Sequence, residues 1–475
     1  MKKKILVTLT GMLLFAAPTL AAEVPPGISG AAAPAYNCDY QPSCEVMPGA
    51  YGKMASPVTS KFNLSIGGFA ELQYAYNSQN LGATGYVFPG APGGGLNPVG
   101  SNLAKEHQSQ FSARTSRFWL KVAGPTFLGA KTNALLEADF LGSPNTAGNE
   151  TGLLRLRHAY GSLDWPNTQV LFGQYSDIFG PAFAATVDFR HGSTTGTPNN
   201  PRVAQVRLTQ KVNFNADNFL KLVVGVQNPV QDYTTSSASG DVPNVAAQIM
   251  FVSKALGVAP GAYGFALNSL QGGFFGLWGN QQINAGGVNH TNSVDVYGYG
   301  FYGFVPLIKS KDGKSRAMTA SFETQAYISA GINWDGANAS SSLTFANATA
   351  TAPPTGTSSL YSTGSAAKGY GVYGQLIFFP TQDLGITAGY LRRNAMDYDH
   401  FTNTAPATPT GSAITFEKYN ESIYANVAYD LNAAVKLMTE YEHARTQYGR
   451  NFNATGTVGD WGQANIFRVS ALYFF

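Results

Sequence analysis

The last fourteen residues, Gly462-Gln463-Ala464-Asn465-Ile466-Phe467-Arg468-Val469-Ser470-Ala471-Leu472-Tyr473-Phe474-Phe475, decide the reading of the whole chain. Phe467, Val469, Ala471, Tyr473 and Phe475 share one face of a strand, and Arg468 and Ser470 lie on the other. Alternation of period two is the mark of a strand with two unlike environments. The same parity puts Ile423, Ala425, Val427 and Tyr429 opposite Tyr424 and Asn426, and Val435, Leu437, Thr439 and Tyr441 opposite Lys436, Glu440 and Glu442. Outward faces this apolar require lipid, and in lipid every backbone group must be paired, which only a closed barrel achieves with strands.

Working back along the chain, segments of this kind recur, punctuated by Gly, Asn, Pro and Asp. Sixteen strands are expected, at 62–76, 111–123, 129–141, 152–164, 168–176, 202–212, 218–228, 244–253, 271–283, 293–306, 315–329, 369–380, 384–396, 414–429, 433–446 and 462–475. The connections between them alternate. Those at 77–110, 142–151, 177–201, 229–243, 284–292, 330–368, 397–413 and 447–461 are mostly long. Those at 124–128, 165–167, 213–217, 310–314, 381–383 and 431–432 are short, and only 254–270 departs, as a helical or inserted segment. Long loops at one rim and tight turns at the other describe an all-β transmembrane antiparallel β-barrel of the bacterial outer membrane, with long extracellular loops and short periplasmic turns. Phe475 ends the chain with apolar residues at every second position before it, which resembles the assembly signal of such barrels.

Composition agrees. Of 475 residues only 12% are charged, 13% are aromatic and 53 are glycine, about half the charge of a soluble domain. The formal charge of +3 is accounted for by Lys2, Lys3 and Lys4, so the rest of the chain has no electrostatic reason to bind nucleic acid. Those lysines and the apolar stretch from Ile5 to Ala17 read as a secretory signal over 1–22, cleaved after small residues. A periplasmic extension follows at 23–61, in which Cys38 and Cys44 are expected to form a disulfide in an oxidising compartment. The barrel then occupies 62–475.

A sixteen-stranded barrel is too wide to be filled by its wall, and an aqueous lumen follows. By parity Arg117, Lys121, Lys131, Glu137, Asp139, Arg155, Arg157, Arg207, Glu323, Arg393, Lys436, Glu440, Glu442 and Arg468 face it. Arg117, Lys121, Arg155, Arg157 and Arg207 come from strands two, four and six. They are expected to form a cationic wall facing acids elsewhere, with Glu137 and Asp139 also lining the pore. Segment 177–201, carrying Asp177, Phe179, Phe183, Asp188, Phe189, Arg190 and His191, is the candidate constriction loop. His158 falls toward lipid by parity, without a serine partner. Gly298-Tyr299-Gly300-Phe301-Tyr302-Gly303 fits a nucleotide-binding spacing but sits inside a strand, where that fingerprint has no helix to open. The six histidines do not pair at metal-ligand spacing. No cofactor, no metal and no catalytic constellation are expected.

Several runs carry a resemblance. Ser116-Arg117-Phe118, Glu137-Ala138-Asp139-Phe140, Arg155 to Tyr160, Gly173-Gln174, Asp188-Phe189 and Gln205-Val206-Arg207 resemble the trimeric porin superfamily, and within it the DcaP-like dicarboxylate porins. The resemblance covers roughly 111–210. It implies a sixteen-stranded homotrimer, set among outer-membrane lipid and lipopolysaccharide, that passes small hydrophilic or anionic solutes such as small carboxylates. A surface adhesin built on loops 77–110 and 330–368 and a substrate-specific transporter are the competing classes.

Overall fold

The computed structural model describes residues 52–53, 63–81, 96–142, 152–188, 196–197, 202–229, 242–282, 293–332, 368–396, 417–448 and 459–475. The signal expected at 1–22, the extension expected at 23–61 apart from Gly52 and Lys53, and the disulfide expected between Cys38 and Cys44 lie outside the described residues.

Sixteen antiparallel staves run in chain order: β1 (Asn63–Asn77), β2 (in two pieces, Gln108–Ser112 and Arg117–Ala123), β3 (Lys131–Gly142), β4 (Leu153–Asp164), β5 (Thr168–Ser176), β6 (Arg202–Asn213), β7 (Asn218–Gln227), β8 (Asn244–Pro260), β9 (Leu267–Gln282), β10 (Ser293–Ile308), β11 (Thr319–Ala330), β12 (Lys368–Phe379), β13 (Leu384–Ala395), β14 (Glu417–Asp430), β15 (Val435–Tyr448) and β16 (Trp461–Phe474). Each pairs with its sequence neighbours, and β16 pairs with β1 from Ile466 opposite Asn77 to Phe474 opposite Phe69. Phe475 completes that seam: its N–H donates to the Gly68 carbonyl at 3.1 Å, and its carbonyl accepts from the Gly68 N–H at 3.0 Å. Below it Gly52 and Lys53 pair with Ile66 and Ser65, continuing the ladder on the edge where β16 has ended. Among the described residues no stave is left without a neighbour on either side, as a strand structure in lipid requires.

The turns are built by side chains that bond their own backbone. Asn215 Oδ1 accepts from the N–H groups of Asp217 and Asn218 at 3.0 and 2.9 Å, and Asn432 Oδ1 from those of Ala434 and Val435 at 2.8 and 2.9 Å. Asp312 does the same with Ser315 and Lys314, and these N–H bonds hold its carboxyl well below the ordinary carboxylate range.

The two faces of the wall are unlike. Outside, Leu72, Phe111, Leu154, Phe172, Phe274, Tyr299, Leu376, Ile423 and Tyr473 are all exposed, the apolar belt that a bilayer covers. Inside, the alternate positions are buried, Arg468 and Ser470 in β16 among them. The protein is thus a transmembrane β-barrel of the outer membrane. Residues 254–270 are neither helical nor an added domain: β8 runs to Pro260, β9 starts at Leu267, and a single 3-10 turn, Ala262–Gly264, joins them.

The seam leaves no room at Gly68, where an added Cβ would lie 2.5 Å from the Arg117 carbonyl and 2.6 Å from the Phe475 ring. Gly68→Val is expected to destabilise the barrel by about 1–3 kcal/mol, the usual effect of overpacking. The loss should appear as a lower temperature of conversion from the compact to the unfolded band in heat-modifiability electrophoresis. An unchanged conversion temperature would show that the seam yields at this point.

Candidate functional site: the filled lumen

The inner wall is divided. Over β7 to β14 it is apolar and aromatic, with Val223, Met250, Phe275, Leu277, Phe304, Tyr327, Tyr373, Leu391 and Tyr424 in one buried cluster with Ile178, Phe179, Ala182 and Ala184. Over β2 to β6 it is charged. Segment 177–188 explains how an apolar wall can exist inside a lumen, because it lies against it.

That segment is held by its backbone. Gln248 of β8 donates to the Ile178 carbonyl; Gln325 of β11 accepts from Ala182 N–H at 3.1 Å; Gln375 of β12 accepts from Ala185 N–H at 2.9 Å. Asn426 of β14 donates to the Ala185 carbonyl, Glu440 of β15 accepts from Val187 N–H at 2.9 Å, and Gln73 of β1 donates to the Val187 carbonyl at 3.0 Å. Backbone groups buried away from water need such partners, and the wall supplies them from successive staves. Phe179 seats edge-on against Phe275 and Tyr327, with ring centroids 5.1 and 5.8 Å away. Asp177 caps the start of the segment by accepting from Phe179 N–H at 3.2 Å. At its far end Asp188 accepts from the Thr186 hydroxyl at 2.7 Å and lies 3.7 Å from Arg468, which also pairs with Glu440 and Glu442. Phe189, Arg190 and His191 lie outside the described residues.

On the charged side, register brings the expected residues together. Arg117 of β2, Asp139 of β3 and Arg155 of β4 stand in one row across the staves. Arg155 forks onto Asp139 through Nε at 2.9 Å and Nη2 at 2.6 Å. Arg157 bridges Glu137 at 2.7 Å and Asp139 at 2.9 Å, and Arg117 reaches Glu137 at 3.4 Å. These acids sit among the cations rather than across the lumen from them. The expected cationic wall facing acids elsewhere is, over β2 to β4, an ion-paired cluster, because β3 carries both carboxylates between the two cationic staves. Arg155 is its accessible member, with 37% of its side chain exposed against 4% for Arg157. Lys121 lies on the same face of β2, opposite Leu135 rather than a carboxylate. Arg207 is separate: its guanidinium stacks 4.2 Å over the Tyr175 ring, and its buried Nε has no hydrogen-bond partner among the described residues.

His158 faces inward, against the parity reading. In the ladder Glu137 pairs with His158 and Ala138 with Leu156, so Arg157 is an extra, bulged residue. A bulge shifts parity by one, and both Arg157 and His158 reach the lumen. His158 Nδ1 meets Glu137 Oε2, and its Nε2 lies 3.2 Å from Ser176 Oγ. This Ser–His–Glu order matches a hydrolytic triad, but Ser176 is buried and Glu137 is already bonded by Arg157 and Arg117. The histidine pins the bulge to the end of β5, where segment 177–188 departs.

The other residues that parity alone could not reveal are the amides Gln73, Gln248, Gln325, Gln375 and Asn426, and Tyr263. Amides on an inward face read as generic polar wall, and only the course of 177–188 gives them partners. Tyr263 lies in the β8–β9 turn and donates its hydroxyl to the Thr186 carbonyl at 2.5 Å. Burial, and then the Glu440 carboxylate, push its phenol well above the ordinary value, so the proton stays on the donor.

No protein-family model and no curated relative matches the chain. Among solved structures, the outer membrane channel DcaP of Acinetobacter baumannii superposes with a TM-score of 0.57 at 17% identity, over 88% of this chain and 99% of that one. An anion-selective porin from Comamonas acidovorans superposes with a TM-score of 0.51 at 10% identity, over 87% and 100%. The chain has the outer-membrane porin fold. The likeness is in the barrel, at identities too low to transfer residue roles.

Removing Arg157 would leave Glu137 and Asp139 buried with less compensation. Arg157→Ala is expected to destabilise by about 3–5 kcal/mol, as for a broken buried pair, and Arg155→Ala by about 1 kcal/mol or less, as for an exposed one. Thermal unfolding of both variants in detergent checks the order, and equal losses would contradict the division drawn here.

Proposed function

We propose that the protein is a passive channel of the outer membrane, a homotrimer that admits small hydrophilic solutes with a modest preference for anions such as small carboxylates. The observation that carries this reading is the division of the lumen. Segment 177–188 packs its apolar side chains on the aromatic half of the wall, and the charged half over β2 to β6 is left to line a passage. A solute crossing there would meet Arg155, the accessible member of the cluster, with the guanidinium of Arg207 buried in the wall behind it. Arg117, Arg155 and Arg157 share only two carboxylates, Glu137 and Asp139, and the one excess positive charge, with that of Arg207 beside it, favours anions weakly. Segment 177–188 is the constriction in this reading. The trimer is supported by the porin-like motifs at 111–210, and the anion preference by the shared barrel of an anion-selective porin.

Planar-bilayer recording under a salt gradient tests it. Wild type is expected to give currents in steps of three and a reversal potential on the anion side. Arg155→Ala combined with Arg207→Ala should move that potential toward cations without closing the channel. A potential that stays in place would remove the two arginines from selectivity, and a correctly folded wild type that stays without current even after deletion of 178–187 would remove the channel reading.

A further inference from the structure

The hairpin joining β8 and β9 leaves the wall. The two staves pair in regular register from Val245 opposite Trp278 to Ser253 opposite Leu270. β8 then takes in four further residues, 254–257, before Val258 meets Ser269. Excess residues on one strand bend it. Gly257 takes φ 75° at this bend, and an added Cβ there would fall 2.8 Å from the Lys309 side chain. Past the bend the hairpin closes with Gly261 N–H donating to the Ala266 carbonyl at 2.8 Å, and Tyr263 at its tip holds φ 56°. A left-handed conformation at a tyrosine is strained and persists only where the surroundings impose it.

The partners of the tip place it. Counting around the barrel, β8 and β9 stand opposite the β16–β1 seam. Yet Lys436 of β15 donates to the Tyr263 carbonyl at 3.0 Å and lies 4.8 Å over the Phe265 ring, and Phe265 lies 6.3 Å from Phe474 of β16. On the way across, Ser321 of β11 donates to the Pro260 carbonyl at 2.7 Å. Arg316 donates to the Gly264 carbonyl at 3.2 Å while paired with Asp430 at 2.9 Å. The tip belongs to a buried apolar cluster with Phe69, Trp119, Leu472 and Phe474 of the opposite wall. Its hydroxyl bond to Thr186 ties it to the segment above. A turn that merely reversed the chain would leave these carbonyls to water; here the lumen wall satisfies them.

From this crossing we infer that turn 261–266 is a second barrier in series with segment 177–188, a periplasmic plug whose Tyr263 and Phe265 limit the size of solute that leaves the channel. The inference rests on the channel reading above and adds to it a specificity-determining element on the opposite side of the constriction. Apolar side chains at a narrow point exclude water as well as bulk, so the plug restricts conductance and solute size together.

Two variants test it in the full-length protein: Tyr263→Ala with Phe265→Ala, and a hairpin in which 259–268 is replaced by Asn-Gly. Each is reconstituted for single-channel recording and for liposome swelling with sugars of increasing size. Heat-modifiability confirms folding, and the double substitution stands in should the shortened hairpin not fold. Conductance is expected to rise by about twofold or more, as when an apolar constriction is removed, and the swelling limit to move to larger sugars. Folded variants that match wild type in both measurements would overturn the plug. If wild type and both variants are silent but deletion of 178–187 gives current, the plug fails and the channel reading stands. If that deletion is silent too, both fail.

Discussion

Backbone pairing at the seam between the last stave and the first is the constraint on which everything else depends. A bilayer supplies no partner for an open strand edge, and an unpaired peptide group there costs several kcal/mol. The ladder from Ile466–Asn77 down to Phe475–Gly68 removes that edge, and closure fixes which side chains face inward. Every lumen contact described above inherits its position from that register. Arg117, Asp139 and Arg155 meet because three staves are locked in phase, not because they are near in sequence.

Closure creates a second problem, which the interior solves. A wall of sixteen staves encloses more space than its own side chains fill, and half of this wall is aromatic. Aromatic side chains facing water would gain nothing from folding. Segment 177–188 covers them, and turn 261–266 covers Phe69, Trp119 and Phe474 on the other side of the lumen. Both enter as irregular backbone, which is tolerated inside a barrel only when its polar groups are met. The wall therefore carries amides and carboxylates where those segments pass. Gln325, Gln375, Asn426 and Glu440 line the course of one, and Ser321, Arg316 and Lys436 that of the other.

How much of this could be read from the sequence follows from what period two can and cannot encode. Alternation and unequal loop lengths gave sixteen staves close to those observed, and the parity of Arg468, Glu440, Glu442 and Lys436 was visible residue by residue. Parity fails at an inserted residue. Arg157 is one, and from it to the end of β4 the reading slips by a position, which sent His158 to the lipid side. Parity is also silent about partners. Glu137 and Asp139 read as inward residues from parity, but only inter-stave register shows that they lie between the cations. Residues 254–270 depart from the short-turn pattern and read as a helical or inserted segment. Their excess of four residues was real, while its use, bending a hairpin across the lumen, depends on contacts with staves far away in the chain.

The Arg157 bulge links these points. Without it the alternation of β4 would aim Arg155 and Arg157 at the lumen and leave His158 to lipid, where a ring with two polar nitrogens is costly to bury unpaired. With it, Arg157 and His158 enter together and converge on Glu137, and His158 passes the contact on to Ser176 at the last residue of β5. Segment 177–188 starts one residue later, so its direction into the lumen is set by a side chain that owes its orientation to one extra residue in the neighbouring stave. The ion-paired cluster is thereby joined to the start of segment 177–188. Within the cluster Arg157 is buried between both carboxylates, while Arg155, forked onto Asp139 alone, is the accessible arginine.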